Sequence, residues 1–545
     1  MRHSNLLSIA IAGILGGGAA GSAYAVTPAQ VPSGNRLYIS GATATDNTLT
    51  ALFLRTGTGA APKFCAAGTI DMYIDGTNPT GATNRAILCT LDHALSDTNG
   101  TATLAAGTNV AILKESGGGS DRGTNFVANA DLLAFRGLSD VSTCSAGTVQ
   151  AAGSITSFVG HQAFTLHTGC IPTENVRTQA GIADVDPQLF TAGTQPITQA
   201  QIDRLTSDPL YQPMFGAAVS LNLYRALQRA QGIALAGTSV DDDAAHMPTL
   251  TRNQIAGLFA DGMISDWSLI TNSAGVPVTD ASFTAGVAVP STVYVCRRGD
   301  ESGTQASAAQ YFLNERCAAG QGVNGFKLAS TPANQQNGAA FTAPGINNTN
   351  PANPIITSIG STGDEVWAGV NGGAVRNCLD GHNDVNHFAI GLLGTDSVYN
   401  AFGSAGGLAK NADGNGQWRY VAIDGKKPNL ESVANGTYDF VMENVLNMRN
   451  APAAGQAVIS GAPLVLHDYI KTAFASLDVI GSLVIKSMPH GYTGGLAGGL
   501  SGTPNAIPVT QGNLDTNPVS PFTKSPLGPV NNCGPAIPVA GTAVK

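Results

Sequence analysis

The run RLYIS at Arg36–Ser40 is mostly apolar, breaks at the polar turn GATATD, and is followed by Leu49, Leu52 and Phe53 at the i, i+3, i+4 spacing of a helix face. VAILKE, from Val110 to Glu115, repeats the device: SGGGSDRG follows, then Phe126, Ala130 and Leu133 in helical register. TVYVCRR, from Thr292, does it a third time, with GDESGT as the turn and Ala308, Tyr311 and Phe312 as the apolar stripe. Short strands alternating with amphipathic helices predict an α/β protein. Each unit places a glycine- or hydroxyl-rich turn at the C-terminal end of its strand, where open α/β sheets bind ligands. A further helix opens at a capping box of Thr251 and Gln254 and stops near Gly262. The Pro- and Asn-rich stretch from Ser330 to Pro354 reads as a long loop or insertion. Beyond Gly494 periodicity fades, which predicts an irregular tail lying on the surface, pinned by Cys533 if that residue is bridged.

The first residues change this picture at one end. Arg2, the apolar run LLSIAIAGILGGGAAG and small residues at Ala23 and Ala25 have the pattern of an export signal cut after Ala25, leaving Val26 first. The run is short and glycine-broken, so no membrane anchor is expected. About 520 residues then remain, room for two or more domains of roughly 150 residues each. A formal charge of -9 argues against a nucleic-acid partner, since phosphate backbones are held by clustered Lys and Arg. Cys65, Cys89, Cys144, Cys170, Cys296, Cys317, Cys378 and Cys533 are an even set, which in an oxidising compartment predicts disulfides. Cys65 with Cys89 and Cys144 with Cys170 are the favoured pairs, since each would close a short loop.

The stretch RRGDESGT concentrates charge in a chain with only 12% charged residues, against about 25% for an average globular protein. A helix N-terminus exposes unpaired N–H groups at the positive end of the helix dipole. Ser302, Gly303 and Thr304 would add donors without bulk, and Arg298 would supply a planar fork for two anion oxygens, with Asp300 beside it. The bland alternative is a capping Ser302 and two solvated arginines. GDESG is neither G-x-S-x-G nor a serine-protease signature, so no nucleophile is assembled and no enzyme is expected. His382, Asp384 and His387 fit no common metal-ligand spacing, so neither metal nor cofactor is called. Trp267, Trp367 and Trp418 read as core or cleft-rim residues.

The order LYISGATATD, ESGGGS, GIADVDP, LTRNQIAGLFADGMISDW, VYVCRRGDESGT, HFAIGLL resembles that of periplasmic phosphate-binding proteins of ABC transporters, from about residue 35 to about 500. The resemblance implies a two-lobed type II periplasmic binding protein fold with hinge crossovers and a ligand cleft between the lobes. Lobe one would hold residues 26–212 plus 439–500, lobe two 213–438, and a tail 501–545. It implies Thr45, Asp46, Ser116 and Asp184 as ligand contacts from lobe one, and Arg298, Ser302, Gly303 and Thr304 from lobe two. Asp46 stands where the family usually has an apolar residue, and its carboxylate can cap its own helix where an anion would sit. Glu301 replaces a typical glycine. The expectation is a periplasmic or secreted protein that captures phosphate or a related oxyanion and passes it to an ABC transporter permease. The alternative is a secreted structural or surface protein that reuses the fold with its anion site altered or lost.

Overall fold

The computed structural model describes residues 25–539 except 58–61, 81, 156–157, 159, 173, 191–195, 236–241, 316–325, 328–363, 370, 398, 400–415, 475, 485–487, 499–502, 504, 506 and 526–529. The export signal and the Pro- and Asn-rich stretch lie outside the described residues. The order of elements is mixed α/β, in two main sheets.

The first sheet has nine strands, in spatial order Leu205–Pro209, Val445–Arg449, Ala180–Ala183, Arg36–Gly41, Asn109–Glu115, Asn84–Thr90, Asp71–Ile74, Phe164–His167 and Thr148–Gln150. Its centre is parallel: Arg36–Gly41 runs alongside both Ala180–Ala183 and Asn109–Glu115, so Gly41, Ala183 and Glu115 end at one edge. The second has five, Glu365–Gly369, Tyr294–Arg298, Ala389–Gly394, Phe215–Ser220 and Trp418–Tyr420, of which the first three are parallel. The chain passes from the first sheet to the second through residues 210–214 and returns through 439–444. One apolar cluster joins Val127, Ala183 and Val185 to Ala306, Ala308, Ala309 and Phe312, so the helix after Arg298 packs against the ends of both sheets.

Two of the three strand-turn-helix units form as patterned, with helices at Asp46–Leu54 and Gly303–Leu313. The Thr251–Gln254 capping box also forms, and its helix ends at Phe259. The second unit differs. Its helix is split into Gly119–Arg122 and Asn125–Asn129, Ala130 takes a left-handed conformation, and Leu133 lies in the strand Leu132–Phe135. The cause is backbone proximity. A Cβ on Gly123 would lie 2.2 Å from the Ile182 carbonyl oxygen, and one on Gly181 2.6 Å from the Gly123 Cα. Gly41, at φ +107°, presses on the same point. The chain is pulled against the sheet there and cannot continue as one straight helix.

Disulfides join Cys65 to Cys89, Cys144 to Cys170 and Cys296 to Cys378, and Cys533 is also bridged. The three tryptophans are buried core residues. The tail does not lie on the surface as its composition suggested. Val509, Leu514, Val519 and Val530 are buried in the two main cores, and Ser520, Thr523, Ser525 and Asn532 are buried with them. Its apolar anchors are widely spaced and many of its other contacts are made by polar side chains, which leaves no hydrophobic period to read.

Candidate functional site

The sheet ends bring the candidate residues to two adjoining clusters. In the first, Thr45 precedes the helix Asp46–Leu54 and is fully buried, its hydroxyl donating to the Ala42 carbonyl at 3.0 Å rather than standing open. Asp46 places its carboxylate between two cations, 3.1 Å from Lys114 Nζ and 3.4 Å from Arg85 Nη2, while the Ser116 hydroxyl donates to it at 2.6 Å. All three charged side chains are almost sealed from solvent, at 1–6% exposure. Burial pushes the Lys114 ammonium below its usual pKa, and Asp46 opposes the shift. The Ser116 N–H donates to the Thr83 carbonyl at 2.9 Å.

The second cluster gathers Asp184, Arg298, Ser302, Gly303 and Thr304. Ser302 caps its helix, its hydroxyl accepting from the Gln305 N–H at 3.4 Å. Gly303 touches the opposite sheet: a Cβ there would lie 2.5 Å from Ser120 Oγ and 2.6 Å from Asp184 Cβ. Thr304 is buried in the first turn of the helix. Asp184 is 3% exposed, its N–H donates to Ser120 Oγ at 3.1 Å, and its Oδ1 has no hydrogen-bond partner among the described residues. Burial lifts its carboxyl to a pKa of about 6, against the pull of the Arg298 guanidinium. Arg298 is 4% exposed, donates from Nε to the Gly369 carbonyl at 3.2 Å, and is depressed from its usual pKa by burial while Glu301 and Asp184 support its charge.

Two neighbours depart from the sequence reading. Asp300 pairs with Arg297, the strand arginine whose ring contact is Phe326, and is not the dedicated partner of Arg298. Glu301 is a contact between the sheets: its carbonyl accepts the Asp121 N–H at 3.0 Å. The two carboxyls repel, and burial together with Glu301 lifts Asp121 to about 7. Of His382 and His387, His387 stacks on Tyr294 and His382 packs against that ring at a tilt, with the two Nδ1 atoms 3.3 Å apart. His382 lies near Cys296 and Cys378, whose sulfurs are joined to each other.

Lys114, Arg85, Ser120 and Asp121 were not singled out from sequence. The signal for the first two was present. Lys114 and Arg85 each sit within an otherwise apolar strand run, VAILKE and NRAILC, where a cation must be paired if the strand is buried.

No protein-family model and no curated protein matches the chain. Among solved structures, it is similar to a putative phosphate ABC transporter substrate-binding protein from Clostridium perfringens, described with bound phosphate, at 11% identity over 56% of this chain and 76% of that one, with a TM-score of 0.28. An ABC-type phosphate transport receptor from Vibrio cholerae matches at 11% identity over 56% and 77%, TM-score 0.26. A phosphate-binding protein from Stenotrophomonas maltophilia matches at 13% over 55% and 69%, TM-score 0.26. At these values the likeness is a distant one of fold, and the weight of any functional reading falls on the side chains just described.

Proposed function

We propose that this protein is an exported, two-lobed binding protein that captures phosphate or a related oxyanion between its lobes for ABC-type uptake, and performs no chemistry. One observation carries the reading: a buried guanidinium, Arg298, and a buried carboxylate with an unpartnered oxygen, Asp184, meet at the N-terminus of an eleven-residue helix. Arg298 and the helix end favour negative charge. Asp184 rejects any ligand oxygen that lacks a proton, since two acceptors would then face each other. A hydrogen phosphate, which both donates and accepts, satisfies the pair. Residues 26–212 with 439–500 would form one lobe and 213–438 the other.

Asp46 favours a second reading. Its carboxylate already sits against Lys114, Arg85 and Ser116, as a built-in anion, which suits a structural or surface protein whose cleft is filled from within.

Calorimetry separates the two. Capture requires phosphate to bind far more tightly than sulfate, by up to roughly 10⁴-fold where a site demands a donor on its ligand. Asp184→Asn should narrow that gap, because an amide can donate. Arg298→Ala should cost about 2–5 kcal/mol of binding. Equal affinity for the two anions, or silence with both, leaves the structural reading in front.

A further inference from the structure

The two segments that join the sheets lie side by side. The Asn444 N–H donates to the Tyr211 carbonyl and the Leu210 N–H to the Asn444 carbonyl, each at 3.0 Å, and the Met442 N–H reaches the Pro213 carbonyl at 3.3 Å. On its other side Tyr211–Pro213 pairs with the strand Gly495–Ala497. Ala497 then binds the tail: its N–H donates to the Pro518 carbonyl and its carbonyl accepts from Ser520, both at 2.9 Å.

From there the tail closes over Glu443, which is 2% exposed. This carboxylate accepts from Gln212 Nε2 at 2.8 Å, Thr523 Oγ1 at 2.6 Å, the Lys524 N–H at 2.9 Å and the Ser525 hydroxyl. Gln212 also donates to the Phe522 carbonyl at 2.8 Å. Asn532 completes the ring: its Oδ1 accepts the Glu443 N–H and its Nδ2 donates to the Glu443 carbonyl, both at 2.8 Å. Its own N–H donates at 2.7 Å to Asp186, two residues beyond Asp184.

Hinge opening needs a few residues in the connecting segments to change φ and ψ. Here those residues are the ones tied down. Gln212 belongs to the first connection, Glu443 to the second, and one buried carboxylate bonds both the first connection and the tail. Sliding the second connection would pull that charge away from its three tail donors, and sliding the first would remove the Gln212 donor, both costly ways to break a buried polar network.

We propose that the tail, through Pro518–Ser525 and Val530–Cys533, is a built-in clamp that locks the two connections together and holds the lobes at one fixed angle whether or not a ligand is present. The inference rests on the two-lobed reading but not on the identity of any ligand.

The test uses the full chain without added anion, as wild type, Glu443→Ala and Asn532→Ala, followed by amide hydrogen exchange and small-angle scattering. In both variants, exchange in residues 210–214, 441–444 and 495–497 should quicken together by at least tenfold. The sheet strands Asn109–Glu115 and Ala389–Gly394 should keep their protection, which shows that the variants are folded, and the radius of gyration should rise. A folded variant with wild-type exchange in those segments and an unchanged scattering profile overturns the clamp, as does rapid exchange of the tail in the wild type. Phosphate calorimetry on the wild type reports separately on the capture reading, so either idea can fail alone.

Discussion

Asp121 is a residue whose proton bears on stability where the two sheets meet. Its carboxyl is lifted from 3.8 to about 7 by burial and by Glu301, which is itself raised by burial. A folded state that holds a proton more tightly than the unfolded chain is favoured at low pH, so this contribution is present near pH 4 and is lost as pH rises towards 7. Asp184, lifted to about 6, acts in the same direction. Stability should therefore fall by about 2–4 kcal/mol between about pH 4 and pH 7.5 from Asp121 alone. Thermal unfolding across that range should show Asp121→Asn with a flatter profile than the wild type and a higher Tm at the alkaline end. Asp46 carries the opposite risk. Replacing it with Asn removes the carboxylate paired with both Lys114 and Arg85, which should cost about 3–5 kcal/mol in a denaturant titration. If the cradle accepts an oxyanion, millimolar phosphate should restore part of that loss, because a ligand that binds only the folded state stabilises it.

At the scale of elements, the close contact of Gly303 with Asp184 and Ser120 makes the helix Gly303–Leu313 sensitive to a single methyl group. Gly303→Ala should destabilise by about 1–3 kcal/mol through overpacking, seen as a lowered chemical-denaturation midpoint. The bond between Cys296 and Cys378 ties the strand carrying Arg298 to the helix Gly372–Asp384 across 82 residues. Replacing both with Ala should lower stability by about 2–4 kcal/mol, with the loss abolished when wild type and variant are compared under reducing conditions. The elements that announced themselves in sequence were those with an apolar stripe, such as Leu49, Leu52 and Phe53, or a capping box, such as Thr251 and Gln254. The helix after Glu115 was misread because its spacing was helical while Gly123 answered to the backbone of Ile182, a contact remote in sequence. The tail was misread for a related reason: Glu443 and Asn532 organise it by polar contacts that carry no period. At the site, Arg298 and Ser302 could be named from their turn and Asp184 only through the resemblance, whereas the occupation of Asp46 by Lys114 and Arg85 depends on a helix and two strands meeting.

For the molecule as a whole, both sheets contribute to one apolar cluster, and the helix after Arg298 is held from two sides. The matching of Asp46 by internal cations has a kinetic consequence. Lys114 and Arg85 share the Asp46 carboxylate before any ligand arrives, which offsets part of their charge, and they belong to a chain of formal charge -9. Both side chains are buried, so neither stands at the surface to draw an anion inward, and the net negative charge of the chain repels it. Added salt weakens that repulsion within a Debye length of roughly 10 Å at 0.1 M. Stopped-flow association of phosphate should accordingly speed up as ionic strength rises, the reverse of a receptor that fishes for anions with exposed lysines. An encounter rate that falls with salt would mean that an uncompensated cation guards the entrance.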